Sequence, residues 1–422
     1  MSVANKLSLR REWTMLALAA LFATPAPVLR ALDDFNLYNW SLPHVLEAAI
    51  FGFAVFSAAT LLTWSSEVAE TEMSAGLALV ALALVAVLPE YAVDLYFAVT
   101  APTNPEHAHL AIANMTGGNR LLVGMAWPVV FFIFWQKFGK KIMPVDRGNA
   151  LGIAFLGAAT LYSFSIPLRG NLSLIDTVVM FSLFGSYLYI TSKSPPEEER
   201  EFIGPSRAIA SLGRLQRRLL VGAIFVFAAA TIFAAAEPFA TSLAASGTTL
   251  GVNHFVLVQW VAPLASESPE FILAGLLALR GRHDAAMTIL ISSKVNQWTL
   301  LIGSLPLGYA ISGGTVHALS FDSRQSEEVF LTASQSLFAV AILVSLSMNR
   351  WEAIGLAALF LTQFFFTGTH IRIGYGALYC ALASIILITD VPHMRGFFGA
   401  AREGFSTGEH ARTANAPPTG PP

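Results

Sequence analysis

The chain has 422 residues, of which 55% are apolar and only 12% charged, with a formal net charge of −2. A soluble globular chain carries about a quarter charged residues. The mean hydropathy here is +0.61, so a soluble enzyme, a disordered scaffold and a nucleic-acid reader are all excluded. The one Cys, Cys380, rules out a disulfide framework. What remains is an all-α polytopic membrane protein.

A membrane span needs roughly 20 apolar residues, and on that measure about twelve are expected. They fall near 13–31, 44–65, 74–100, 108–136, 149–167, 172–191, 219–243, 252–279, 285–311, 327–348, 352–369 and 371–390. The first follows Lys6, Arg10 and Arg11, a pattern shared by a cleaved secretory signal and a first membrane helix. No clean small-x-small cleavage site follows, which favours the helix. Residues 1–43 then form an extra N-terminal helical unit, 44–191 a five-span unit, and 192–218 a polar cytoplasmic linker. Residues 219–369 form a second five-span unit, 370–394 an extra C-terminal span, and the Pro- and Gly-rich 395–422 a disordered tail.

Basic residues set orientation, because Lys and Arg accumulate in cytoplasmic loops. With a cytoplasmic N-terminus, nineteen of the 25 basic residues fall on the cytoplasmic side. Only Arg30, Arg169, Arg324 and Arg372 fall outside, and Arg120 and Lys294 lie within spans. An error of one span in the middle scrambles this split, so it supports both the count and cytoplasmic termini.

Two segments correspond across the linker. The first reads VLPEYAVDLYFAV, then HLAIANMTGGNRLLVG; the second reads SESPEFILAGLLAL, then TILISSKVNQWTLLIG. Pro89-Glu90 matches Pro269-Glu270, and Gly117-Gly118-Asn119 matches Ser292-Ser293-Lys294. The flanks Arg147 and Arg350 are also expected to match. Five spans per unit is an odd number, so the second copy is inverted, as in many secondary transporters with broken helices at mid-membrane. Pro removes a backbone donor, which frees carbonyls, and the following Glu adds a carboxylate at the break. Glu90 and Asp94 share a helix face, as do Glu267 and Glu270. Hard cations take oxygen ligands, six to eight for Ca²⁺. Asn114, Asn119, Ser292, Ser293 and Asn296 add amides and hydroxyls to these carboxylates, and small residues such as Gly118 let helices approach.

At these residues the chain resembles the sodium/calcium exchanger, or calcium/cation antiporter, superfamily as a divergent bacterial-type member. That family carries G-T-S-L-P-E and G-N-x-x-G-S-N motifs in each of two inverted repeats. Here they read AVLPE with ANMTGGN and SESPE with TILISSK. The resemblance implies that Glu90 and Glu270 coordinate the transported metal ion, and that Asn114, Gly118, Asn119, Ser292 and Ser293 line the same site. It implies a secondary active cation antiporter of the inner membrane, exchanging Ca²⁺ for Na⁺ or H⁺ by alternating access. It is not an enzyme and needs no cofactor. Its partners are inorganic cations and membrane lipid; nothing in the sequence names a protein partner.

The departures point elsewhere. Ala86-Val87 replace the family's Thr-Ser, Glu267 replaces a Ser, and Lys294 replaces the motif Asn. Arg120 stands where the family is apolar, and a later acidic or amide position reads Leu122 in one repeat and Gln297 in the other. Arg120 and Lys294 are expected to compensate charge at the site, and a structural pair of Arg120 with Asp94 is the alternative. These losses also support an alternative: a degenerate homologue that senses or scaffolds without transport. Glu237 is a candidate for lining an ion path, and Asp176 and Glu352 are expected to snorkel from span ends.

Overall fold

The computed structural model describes residues 3–35, 42–69, 88–192, 202, 204–363, 365 and 368–414. The start of the span near 74, Glu70, Glu72, Ala86-Val87, linker residues 193–201 and the last eight residues lie outside the described residues.

Helices dominate. α1 (Val3–Ala23) and α2 (Pro25–Asp34) precede the first repeat. That repeat holds α3 (His44–Ala69), α4 (Leu88–Thr100), α5 (Pro105–Leu121), α6 (Trp127–Phe138), α7 (Ala150–Ser163), the short α8 (Ser165–Arg169) and α9 (Leu174–Thr191). α10 (Pro205–Ala210) leads into the second repeat. That repeat holds α11 (Arg214–Leu250), α12 (His254–Leu279), α13 (His283–Asn296), α14 (Ile302–Gly313), α15 (Ser323–Leu343) and α16 (Arg350–Thr362). α17 (Thr369–Thr389) and α18 (Val391–Ala414) close the chain.

Each of the twelve expected spans overlies described helix. Among the described residues eight helices are individually long and apolar enough to cross a membrane, nine if the bent α12 is one span. α16, with 13 residues, falls short of a full crossing. Apolar side chains such as Leu161, Ile175, Val178, Leu219, Val226 and Phe233 stay exposed, which suits contact with lipid.

Three local features repeat. α5 continues into a π-helical turn, Leu122–Ala126, before α6; α13 continues into a second, Gln297–Leu301, before α14. Each π turn begins three residues after the matched positions Asn119 and Lys294. Among the described residues, four short strands supply the other two features. β1 (Ile142–Pro144) pairs antiparallel with β4 (Ser347–Asn349), and β2 (Asn171–Leu172) with β3 (Leu319–Ser320). β1 follows α6, and its repeat counterpart β3 follows α14. That β1 instead pairs with β4 means the loop after α6 shares a face with the loop before α16. The repeats are therefore inverted. The same pairing corrects the match of Arg147 with Arg350: residues equivalent in inverted repeats lie on opposite faces, whereas these two follow β1 and β4 of one antiparallel ribbon, Arg350 at the end where its backbone N–H donates to Lys141 O at 3.1 Å and Arg147 beyond the other end.

Two segments are more ordered than their composition suggests. The second half of the expected linker is helical. Ser206, Ala208 and Ile209 are buried there, and Arg207 pairs with Glu12 of α1. Residues 395–414, expected as disordered tail, continue α18. Phe397, Ala400 and Ala401 recur at helical spacing and are buried in the main apolar core beside Met394. That stripe supplies the burial that the Pro- and Gly-rich composition conceals.

Candidate functional site

The site lies where α4 and α12, the two Pro-Glu helices, meet α5 and α13. α12 bends by 55° between Ser268 and Glu270, where Pro269 withdraws a backbone donor. Glu267 and Glu270 flank that bend. On α4, Glu90 and Asp94 stand one turn apart, 4% and 1% exposed. Glu267 is 2% exposed, and Glu270 is half-buried. Glu90 lies in the electrostatic field of Glu267, Glu270 and Asp94, so the structure brings all four acids together.

The amide-bearing helices complete the ring. Asn114 Nδ2 donates to Asp94 Oδ1 at 2.9 Å. Gln297, in the second π turn, faces both Glu90 and Glu267, and Ser293 faces Glu270. Gln297 Nε2 also lies 3.5 Å from Ser293 Oγ. A π turn widens the helix by one residue per turn and re-aims the side chains it carries. Gly118 contributes space: a Cβ there would lie 2.2 Å from Glu267 Oε1. A Cβ on Gly117 would lie 1.7 Å from the backbone oxygen of Gln259, so α5 and α12 touch nearly backbone to backbone.

The oxygens of this site are left open. Glu90 Oε2, Asp94 Oδ2, Asn114 Oδ1, Glu267 Oε2, Glu270 Oε2, Asn296 Oδ1 and Gln297 Oε1 are buried without a hydrogen-bond partner among the described residues. Such groups ordinarily cost about 1–3 kcal/mol each. All are acceptors, on helices from both repeats, and acceptors are what a hard cation requires. Among the described residues, no three Asp, Glu, His or Cys side chains converge closely enough to hold a metal by themselves. A cation here needs amide oxygens, hydroxyls or water as well as carboxylates.

Lys294 is fully buried. Its Nζ donates to Asn119 Oδ1 at 2.7 Å and to Asn119 O at 3.1 Å, and it sits 4.6 Å from the centre of the Trp298 ring. Asn119 is anchored in turn by donation from Nδ2 to Met115 O at 2.9 Å.

Two expected members point elsewhere. Ser292 Oγ lies 3.2 Å from Tyr187 Oη on α9, away from the acids. Arg120 does not pair with Asp94. It pairs with Glu328 of α15 at 2.5 Å, donates to Gln363 Oε1 at 3.2 Å and stacks over Trp260. Adjacent helix residues project about 100° apart, so Asn119 and Arg120 serve different clusters. Glu328 also meets Arg372 at 3.4 Å, and Arg372 meets Glu327 at 3.7 Å. Arg372 is thus 8% exposed inside α17 rather than a free outer-loop charge. The adjacent acids Glu327-Glu328 inside a predicted span were the signal for this cluster. Glu237 pairs with Arg30 at 2.8 Å on a half-exposed surface. Asp176 pairs with Arg169, and Asp176 and Glu352 both close helix-capping boxes, so neither snorkels.

The sequence model of the sodium/calcium exchanger protein family matches residues 44–193 and 220–368, the two five-helix units. Among solved structures, the H⁺/Ca²⁺ exchanger CAX is 41% identical, with 94% of this chain and 99% of that chain covered and a TM-score of 0.88. YfkE is 13% identical over 87% of this chain and 99% of that one, with a TM-score of 0.57. The sodium-calcium exchanger NCX_Mj is 16% identical over 77% and 97%, with a TM-score of 0.51. These last two likenesses concern the fold alone. No curated protein sequence matches the chain.

Proposed function

The chain belongs to the sodium/calcium exchanger family, and on that premise we propose that it exchanges Ca²⁺ for protons across the inner membrane by alternating access. The family makes it a multi-pass cation antiporter rather than an enzyme; counter-ion, membrane and mechanism are our reading. One observation carries it: seven buried acceptor oxygens without a hydrogen-bond partner among the described residues, one each from Glu90, Asp94, Glu267 and Glu270 and three from the amides of Asn114, Asn296 and Gln297, come from both inverted repeats. The 41% identical relative, described as an H⁺/Ca²⁺ exchanger, supports the proton as counter-ion.

The chemistry follows from desolvation. Four buried carboxylates with one buried amine, Lys294 beside Glu267, keep an excess of negative charge that is too costly to carry across a bilayer bare. With Lys294 charged, three negative charges remain, and they are neutralised either by a divalent cation together with one proton or by three protons. The two loads compete for the same oxygens, and only a neutralised site moves. That competition is the coupling. Glu90 and Glu270, at equivalent positions on the two Pro-Glu helices, hold the ion. Asp94, Glu267, Asn114, Ser293, Asn296 and Gln297 complete its shell, Gly118 gives Glu267 room, and Asn119, expected in the shell, is held by Lys294 instead. Twelve spans with both termini in the cytoplasm satisfy the basic-residue bias. They also place β1 with β4 on the inner face and β2 with β3 on the outer.

Everted vesicles test this directly. A pH gradient should drive Ca²⁺ uptake, and Glu90→Gln or Glu270→Gln should abolish it while the protein remains in the membrane. Uptake that follows a Na⁺ gradient but ignores pH would reassign the counter-ion. No flux under any gradient would favour the non-transporting sensor that the replaced hydroxyls and Lys294 also suggest.

A further inference from the structure

The two repeats meet through a pair of residues that are sequence equivalents of each other. Asn119 and Lys294 each stand three residues before a π turn, each on the second motif helix of its repeat. They touch across the interface through the 2.7 and 3.1 Å contacts of Lys294 Nζ. Inverted repeats are related by a pseudo-two-fold axis, and equivalent residues in contact lie on that axis. The same position in the other repeat is therefore an amide in one copy and an amine in the other.

We propose that Lys294 is a tethered stand-in for a monovalent ion: its amino group occupies an oxygen-lined position on the repeat axis and thereby excludes Na⁺ from the transport cycle. This rests on the reading of the surrounding acids as a cation site. Lys presents a compact head with three donors and no acceptor. Two of those donors are spent on Asn119 oxygens, and the Trp298 face takes the remaining side of the head. A bare Na⁺ needs the same oxygens. A tethered group competes for them at an effective concentration that a free ion has to exceed. Occupancy alone carries the effect, and no titration of Lys294 is required. The nearby Asn296 and Gln297 oxygens, both unpartnered, are available to a small ion once the amine is gone.

The test is Na⁺ binding to the purified full-length protein, measured with radioactive Na⁺, beside competition of Na⁺ against Ca²⁺ binding. Wild type should bind no Na⁺, and excess Na⁺ should leave its Ca²⁺ affinity unchanged. Lys294→Asn, which makes the two repeats alike, should bind Na⁺, with excess Na⁺ weakening Ca²⁺ binding by roughly tenfold. Lys294→Gln carries the same expectation if the Asn variant does not fold. The exchanged pair Asn119→Lys with Lys294→Asn keeps one amine on the axis and should again ignore Na⁺. A merely structural lysine predicts no such rescue. Specific Na⁺ binding by wild type overturns the proposal, as does failure of both single variants to acquire it. A protein that moves no Ca²⁺ against protons defeats the functional reading, yet the Na⁺-binding contrast still decides the role of Lys294.

Discussion

Glu90, Asp94 and Glu267 of α4 and α12 are as buried as the acids of α15, yet the two sets are finished differently. Glu327 and Glu328 are 7% and 1% exposed and sit among Arg120, Arg372 and the amide of Gln363, itself held at 2.9 Å to Tyr379 Oη. Each charge there has an opposite charge within reach, and α5, α15 and α17 are tied together. Glu90, Asp94 and Glu267 are as deeply buried and keep open oxygens. Glu327 Oε2 also lacks a hydrogen bond among the described residues, but it faces the Arg372 guanidinium at 3.7 Å, so the α15 acids are held by cations of the protein itself. The open set is incomplete until something arrives. Burial alone therefore does not identify a transport carboxylate; open acceptors clustered without an arginine ion pair among the described residues do.

That contrast can be broken by substitution. The largest effect is expected from Glu328→Ala, which strands Arg120 inside the protein. Removing one partner of a buried pair costs about 3–5 kcal/mol, so a steep fall in melting temperature in detergent is expected. Apolar replacement of Arg120 and Glu328 together should recover most of that loss; no recovery would mean that the pair acts beyond its own charges. At the open site the pattern inverts. Glu90→Gln should lower Ca²⁺ flux by at least about a hundredfold, near 3 kcal/mol, with a melting temperature unchanged or raised. A destabilised Glu90→Gln protein would place Glu90 among the structural acids instead.

Smaller changes sharpen the boundary between the clusters. Gly118→Ala puts a methyl 2.2 Å from Glu267 Oε1, and the apparent Ca²⁺ affinity should drop by about tenfold. An unaltered affinity would remove Glu267 from the shell. Ser292→Ala deletes a hydrogen bond to Tyr187, worth about 1 kcal/mol of stability. Flux should change by no more than about twofold, and a collapse comparable to that of Glu90→Gln would return Ser292 to the site.

Much of the fold was legible from residue order. Apolar run lengths located helices under every expected span, and the matched Pro-Glu and Gly-Gly-Asn/Ser-Ser-Lys elements delimited the two units that the family sequence model matches. Side-chain partners were less legible. Asn119 and Arg120 are neighbours in sequence but face different clusters. Arg372 reads as an outer-loop charge until α17 folds its first turn against α15. The helix of residues 395–414 was hidden because a short apolar stripe is outweighed by the surrounding Gly and polar residues.

The sequence by itself determined that this is a membrane protein, where its helices run, and that it carries two inverted copies of one acidic motif. Those properties follow from local hydropathy and spacing, which a bilayer reads one segment at a time. Only the tertiary structure decided which buried charges are spent and which remain open. A carboxylate's partner is set by the face its helix presents and by what a distant helix brings to that face. That is why Arg120 belongs to Glu328, and why Lys294 rests on its own counterpart, Asn119.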